Sequence, residues 1–185
     1  MKRRSSVPPK RLVCVATGPF CHPIAVKPRY LYRGGDPRGV LSQLEFVNSA
    51  KDGTGAPIPA GRVRCFQPDE SKELQFTGET QVAHTPLDEK RTLDLGWAFD
   101  LQAERKELSS KRISDREREY AVEIKLRNRK ATEVTIVVEE PAGGDVQLVK
   151  QSHASTRKDA NTLQFTVAVP AGKEVVVTYT ARQSW

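Results

Sequence analysis

The residues able to do chemistry fall into three small groups. His84-Thr85-Pro86 stands just ahead of Asp88 and Glu89, and an imidazole beside carboxylates is the arrangement of a general base with its orienting acid. A histidine before Thr-Pro at a strand end more often hydrogen-bonds a loop, and that structural role is expected here. His153 lies among Ser152, Ser155 and Thr156, a base beside hydroxyls. A nucleophilic serine also needs a sharp strained turn or a pair of oxyanion donors, and no Gly-x-Ser-x-Gly elbow is present. Asp94, Asp100, Glu104 and Asp115 could supply the paired carboxylates of glycoside hydrolysis, yet Arg91, Arg105 and Arg116 lie close to three of them in sequence, and surface ion pairs are the expectation. Asp94 and Asp100 bracket Gly96-Trp97-Ala98-Phe99 and are the first place to look for a bound cation, although the Asp-x-Asp-x-Asp spacing of a calcium loop is absent. No catalytic, cofactor-binding or metal-binding residue is assigned, and no cofactor is expected.

The three cysteines match no zinc or redox spacing. Cys14, Cys21 and His22 lack the C-x2-4-C knuckle that presents two thiolates to one ion, and a Cys14–Cys21 disulfide needs an oxidising compartment. Cys65 lies in the alternating run Arg62-Val63-Arg64-Cys65-Phe66 and reads as a buried strand thiol. Gly53 to Gly61 is rich in Gly and Pro but lacks the Gly-Lys-Ser/Thr ending of a phosphate loop, so it is expected to be a shaped turn rather than a nucleotide site. The alternating charges of Asp115-Arg116-Glu117-Arg118-Glu119 read as cross-strand ion pairs on a solvated face. Trp97 is expected in the core and Trp185 to be loosely held; neither has the basic interleaving of a base-stacking platform.

The elements that must position these residues are strands. The chain of 185 residues is 29% charged and 37% hydrophobic, with a formal net charge of +7, the composition of a globular chain of one or two domains. No apolar run is long enough for a spanning helix or a signal peptide. Residues 1–38 hold nine Lys/Arg and one acid, so their +8 accounts for the whole excess, while the rest of the chain is close to neutral. Residues 1–23 are expected to be a disordered basic leader, because Pro8, Pro9, Pro19 and Pro23 remove donors and disfavour helix. Any nucleic-acid binding is expected to be weak, non-specific, salt-sensitive and confined to residues 1–38.

Residues 24–112 show period-2 alternation in short units. Ile24 to Tyr32 and Val40 to Val47, ending at Asn48, are expected strands, followed by runs around Val63 and Cys65, Leu74 and Phe76, and Leu93 and Leu95. Trp97 to Arg112 mixes helix-forming composition with the alternation of Phe99, Leu101 and Ala103, and is expected to be extended. Residues 113–185 carry the clearest pattern: Tyr120, Val122, Ile124 and Leu126; Val134, Ile136 and Val138; Val146 and Leu148; Leu163 to Val169; and Val175, Val177 and Tyr179, separated by turns at Asn128-Arg129-Lys130, Pro141 to Asp145 and Pro170 to Lys173. Five short antiparallel strands, each with one apolar face, predict two packed sheets, an immunoglobulin-like sandwich.

The segments Gly53 to Arg64, His84 to Glu89, Leu93 to Leu101, Ile113 to Asn128 and Lys158 to Arg182, in that order, resemble the C-terminal part of the domain-of-unknown-function 4139 family, which includes mucoidy-inhibitor-like bacterial proteins. The resemblance implies a β-rich domain of a protein often exported to the cell envelope, with no catalytic residue to carry over. This chain lacks the export signal, coiled coil and front half of that pattern, and its localisation stays unknown. The function expected is a non-enzymatic structural or protein-interaction module with a protein partner or self-association through a sheet edge, the uncharged run Val175 to Thr180 being the exposed candidate. A weak binder of anionic surfaces or nucleic acid acting through the leader is the alternative, and an undiscovered hydrolase ranks third.

Overall fold

The computed structural model describes residues 11–17, 20–68, 71 and 73–185. Their regular structure is all strand: β1 (Arg11–Thr17), β2 (Phe20–Arg33), β3 (Val40–Val47), β4 (Gly61–Pro68), β5 (Leu74–Val82), β6 (Lys90–Trp97), β7 (Leu101–Ser114), β8 (Glu117–Asn128), β9 (Val134–Pro141), β10 (Asp145–Gln151), β11 (Ser155–Asp159), β12 (Thr162–Val169) and β13 (Glu174–Ser184). Among the described residues no helix is long and apolar enough to cross a membrane. The chain divides into two compact units, one from residues up to 29 with 42–96, the other from 30–41 with 97–185. The boundary expected at residue 112 falls inside β7, which pairs with β8 from Leu101↔Asn128 to Ser114↔Glu117.

The second unit is a two-layer sandwich. One sheet runs β10-β13-β8-β7, all antiparallel. In the other, β11, β12 and β9 are antiparallel, and Tyr30–Arg33 of β2 adds a parallel pair against Ile136–Glu139, a pairing that alternation cannot reveal. β3 pairs with its sequence neighbour β2 and with the distant β6. Each strand's apolar positions fall on one face because side chains alternate, and Val122, Ile124, Ile136, Phe165, Val167 and Val177 meet in one core as the alternation requires. Phe165 stacks on Tyr179 at 5.6 Å between ring centroids, and Tyr120 meets Tyr179 edge-on at 6.4 Å.

In the first unit, β1 pairs with Phe20–Val26 of β2 and with β4, β4 pairs with β5, and β6 pairs with β3. Ile24, Val26, Phe46, Val63, Cys65 and Leu93 are buried in its core. Two expectations are corrected here. The leader is strand over residues 11–17 and 20–23, because Leu12-Val13-Cys14-Val15 is a β-forming run that hairpin pairing can use despite the prolines; residues 1–10 lie outside the described part. Leu74 and Phe76 are more than half exposed instead of half-buried; they lie at the start of β5, where Phe76 meets the Phe66 ring in a T-shaped pair at 5.7 Å between centroids.

The edges of the second unit share a device. Among the described residues, β7, β10 and β11 each pair on one side only. Each carries a bulge with the extra residue on the edge strand: Leu108 and Ile113 in β7, Val149 in β10 and Lys158 in β11. A bulge interrupts the ladder and twists the strand away from any added partner. It also breaks the in-and-out alternation, and Leu108, Ile113 and Val149 are about half exposed. β13 lies between β8 and β10 in the sheet order, but β10 pairs only with its Tyr179–Ser184 end, so of the expected Val175 to Thr180 edge the ladder of β10 covers Tyr179 and Thr180, while Val175 to Val177 pair with β8 alone. Alternation identifies a half-buried strand but not its place in the sheet.

Replacing Ile124 or Phe165, both wholly buried, by Ala should cost about 2–5 kcal/mol in urea unfolding, whereas Lys125→Ala on the outer face should cost under ~0.5 kcal/mol. Equal losses at inward and outward positions would overturn the register.

Candidate functional site

The candidate chemistry of the sequence is distributed rather than gathered. His84 Nδ1 accepts the Ala60 N–H at 3.3 Å, and its carbonyl accepts from Arg91 at 3.3 Å; it ties two loops, as the structural reading expected. Ser152 Oγ and His153 Nδ1 are 2.9 Å apart, but Ser152 Oγ also accepts the Thr178 N–H at 2.8 Å, which fixes the pair to β13 as a turn. Asp94 accepts from Gln43 Nε2 at 2.6 Å. Asp100 meets Lys130 at 2.6 Å, Glu104 meets Arg127 at 3.8 Å and Asp115 meets Arg112 at 2.6 Å. The ion pairs therefore form with partners other than the sequence neighbours Arg105 and Arg116, because adjacent residues on a strand point to opposite faces and charge pairs form across strands or turns. Arg91 turns to Thr85 and Glu89. Among the described residues no three metal-ligating side chains converge, and the side chains of Cys14, Cys21 and His22 lie outside the described part.

The alternating run that opens β8 behaves as cross-strand logic predicts: Arg182 of β13 reaches Glu117 at 3.5 Å and Glu119 at 3.0 Å. Trp185 is mostly exposed, with its N–H on the Arg116 carbonyl at 3.1 Å. Trp97 is not core. It is 38% exposed, and the Arg38 guanidinium covers its ring at 4.5 Å.

Two features were not legible as sites. The first is a buried carboxylate. Glu140 at the end of β9 has no solvent exposure; its Oε2 accepts from Arg105 Nε of β7 at 2.9 Å and from the Tyr179 hydroxyl of β13 at 2.5 Å. Burial works against the Arg105 cation, but the hydrogen bond and charge of Glu140 more than offset it and hold the guanidinium above its ordinary value. Burial first, then the Glu140 charge, pushes the Tyr179 hydroxyl up, so it remains a donor. Glu140 Oε1 has no hydrogen-bond partner and lies against Gly34, where an added Cβ would sit 1.8 Å from it. The signal was present in the period: Val134, Ile136, Val138 and Glu140 share one face of β9, as Leu101, Ala103 and Arg105 share one of β7.

The second feature is an open groove of about 380 Å³ on the second unit, lined by Pro37, Arg38 and Gly39, by Ala98 and Phe99, and by outward side chains of β7 and β8 including Glu104, Lys125 and Arg127. Phe99 is 92% exposed in the turn before β7. Gly39 holds φ +93°, a conformation side chains rarely adopt, and so shapes the wall that carries Arg38. The cations of the groove are already engaged: Arg38 with Asp36 at 2.9 Å, Lys125 with Glu123 at 3.4 Å and Arg127 with Glu174 at 2.5 Å. The Arg38 hydrogen bonds hold the Asp36 carboxyl below its usual range.

Gly34→Ala should destabilise the fold by at least about 2 kcal/mol, because the new methyl meets a carboxylate that cannot move without leaving Arg105 unpaired. In a Glu140→Ala background the same change should cost much less, and a urea double-mutant cycle showing simple additivity would remove the contact from the account.

Burial pushes the Cys65 thiol up to about 11. With Cys14 and Cys21 replaced by Ser, Cys65 should resist iodoacetamide at about pH 8 in the folded chain and react at the ordinary thiol rate in denaturant, since only the thiolate attacks. Equal rates in both states would contradict a closed first core.

No family model, no curated protein and no solved structure matches the chain.

Proposed function

We propose that the chain is a structural or protein-interaction module, of the kind the resemblance to the domain-of-unknown-function 4139 family implies for a bacterial envelope assembly, and that it engages a polypeptide partner through side chains displayed around Phe99. The observation that carries this reading is Phe99, a large aromatic side chain 92% exposed at a groove whose wall holds Arg38 stacked on Trp97. Aromatic and arginine side chains are the residue types that dominate binding energy at protein interfaces. The groove's cations are paired within the chain, which favours an apolar side chain of the partner over a free anion as the group received there. Strand addition along β7, β10 or β11 is the weaker route, because each of these strands is bulged.

A photo-crosslinking residue at position 99 should give a discrete adduct with one polypeptide in producing cells, and Trp97→Ala or Arg38→Glu should abolish it while thermal unfolding of each variant stays cooperative. Adducts formed at position 74 or 76 and not at 99 would put the interface on the exposed Leu74 and Phe76 of the first unit and overturn this reading. The leader alternative rests on the +8 charge of residues 1–38; it requires salt-sensitive DNA or anionic-vesicle binding that disappears when those basic side chains are neutralised.

A further inference from the structure

We infer that the two units repeat one structural device, a strand-terminal asparagine that clamps the turn leading into its partner strand. Asn48 directly follows β3 and Asn128 ends β8; both are buried. Asn48 Nδ2 donates to the carbonyls of Ala56 at 2.9 Å, Thr85 at 3.3 Å and Pro86 at 3.1 Å. Asn128 Nδ2 donates to those of Thr132 at 2.8 Å, Val169 at 3.0 Å and Pro170 at 3.2 Å. In each case one acceptor belongs to the asparagine's own following loop, and the other two are the consecutive carbonyls of a distant X-Pro pair.

The likeness extends beyond the side-chain donors. The Oδ1 of each asparagine accepts a backbone N–H from its own loop, Thr54 at 3.2 Å and Lys130 at 2.9 Å. The backbone N–H of each donates to the carbonyl three residues after the proline, Glu89 and Lys173, both at 2.9 Å. The residue two after each proline is left-handed, Asp88 at φ 62° and Gly172 at φ 65°. A strand begins four residues after each proline, β6 at Lys90 and β13 at Glu174, and it pairs with the strand that ends at the asparagine, β3 or β8.

These correspondences have a single chemical basis. Only an amide offers two N–H donors and a carbonyl acceptor on one short side chain, so Asn can satisfy turn carbonyls and a loop N–H together. An aspartate of the same shape would set a charge against three carbonyl oxygens with nothing to donate. The repetition is hidden in the sequence because the two turns read Thr85-Pro86-Leu87-Asp88-Glu89 and Val169-Pro170-Ala171-Gly172-Lys173, sharing only the proline, and because the loops after Asn48 and Asn128 differ in length.

If each clamp closes its own unit, Asn48→Asp should lower amide hydrogen-exchange protection by about tenfold or more in β3 and β6 and leave β8, β12 and β13 unchanged in the full chain. Asn128→Asp should give the reverse. Asn48→Ser and Asn128→Ser, which retain one donor, provide the same comparison where an aspartate variant does not fold. Equal loss in both units from either substitution, or no loss from the serine pair, would overturn the inference. A second test transplants one turn into the other place: Leu87→Ala with Asp88→Gly should raise protection in β3 and β6, because glycine accepts the left-handed conformation that strains Asp88. Lowered protection in that variant would show that the two turns are not equivalent.

Discussion

A carboxylate with no route to water governs the second unit. Glu140 belongs to one sheet of the sandwich, and the two groups that donate to its Oε2, Arg105 and Tyr179, belong to the other. Removing an ion pair of this kind from water costs several kcal/mol per charge before the attraction is counted, so the arrangement tolerates little displacement of one sheet against the other. Apolar side chains in the same core are interchangeable in many registers; the carboxylate, guanidinium and phenol satisfy one another in one. The pair also reaches the chain entering the unit, because Glu140 Oε1 takes up the space that a side chain on residue 34 would need. The stacked rings of Phe165 and Tyr179 and the edge contact of Tyr120 then fix the phenol that completes the set.

The bulges answer a different physical problem. A sheet whose outer strands keep unpaired N–H and C=O groups is a template for further strands, and β7, β10 and β11 all interrupt their ladders. The exposed Leu108, Ile113 and Val149 follow from that interruption; without the register they read as a failure of the hydrophobic pattern. Phe99 has a different origin. It lies in a turn, outside any ladder, so its exposure is not a by-product of an edge.

Most strands and the second core were legible because half-buried strands advertise themselves with period two, and Val122, Ile124, Phe165 and Val177 keep that period without interruption. What stayed hidden lacked local signal. β11, Ser-Thr-Arg-Lys-Asp, carries no apolar residue, and the parallel pairing of Tyr30–Arg33 with β9 joins residues about a hundred positions apart. The units interleave in sequence, so no linker marks their border. Glu140 and Arg105 obeyed the alternation, but two acids before a proline in one case and a charge-rich run in the other invite a solvated reading; following the period through the charges would have placed both inside. Trp97 shows the opposite error, where size suggested burial and an arginine stacked on an exposed ring was the outcome.

The segments that carry the family resemblance coincide in part with the asparagine-held turns. Gly53 to Arg64 contains Thr54 and Ala56, which bind Asn48; His84 to Glu89 is the turn it clamps; Ile113 to Asn128 ends at the second asparagine, and Lys158 to Arg182 contains the second turn. Such segments combine Gly, Pro and buried polar residues whose roles depend on hydrogen bonds and on backbone angle. Gly53 illustrates the constraint: a Cβ there would lie 2.6 Å from the Asn48 backbone. A likeness concentrated at positions of this kind therefore speaks first about how a strand is delivered to its partner.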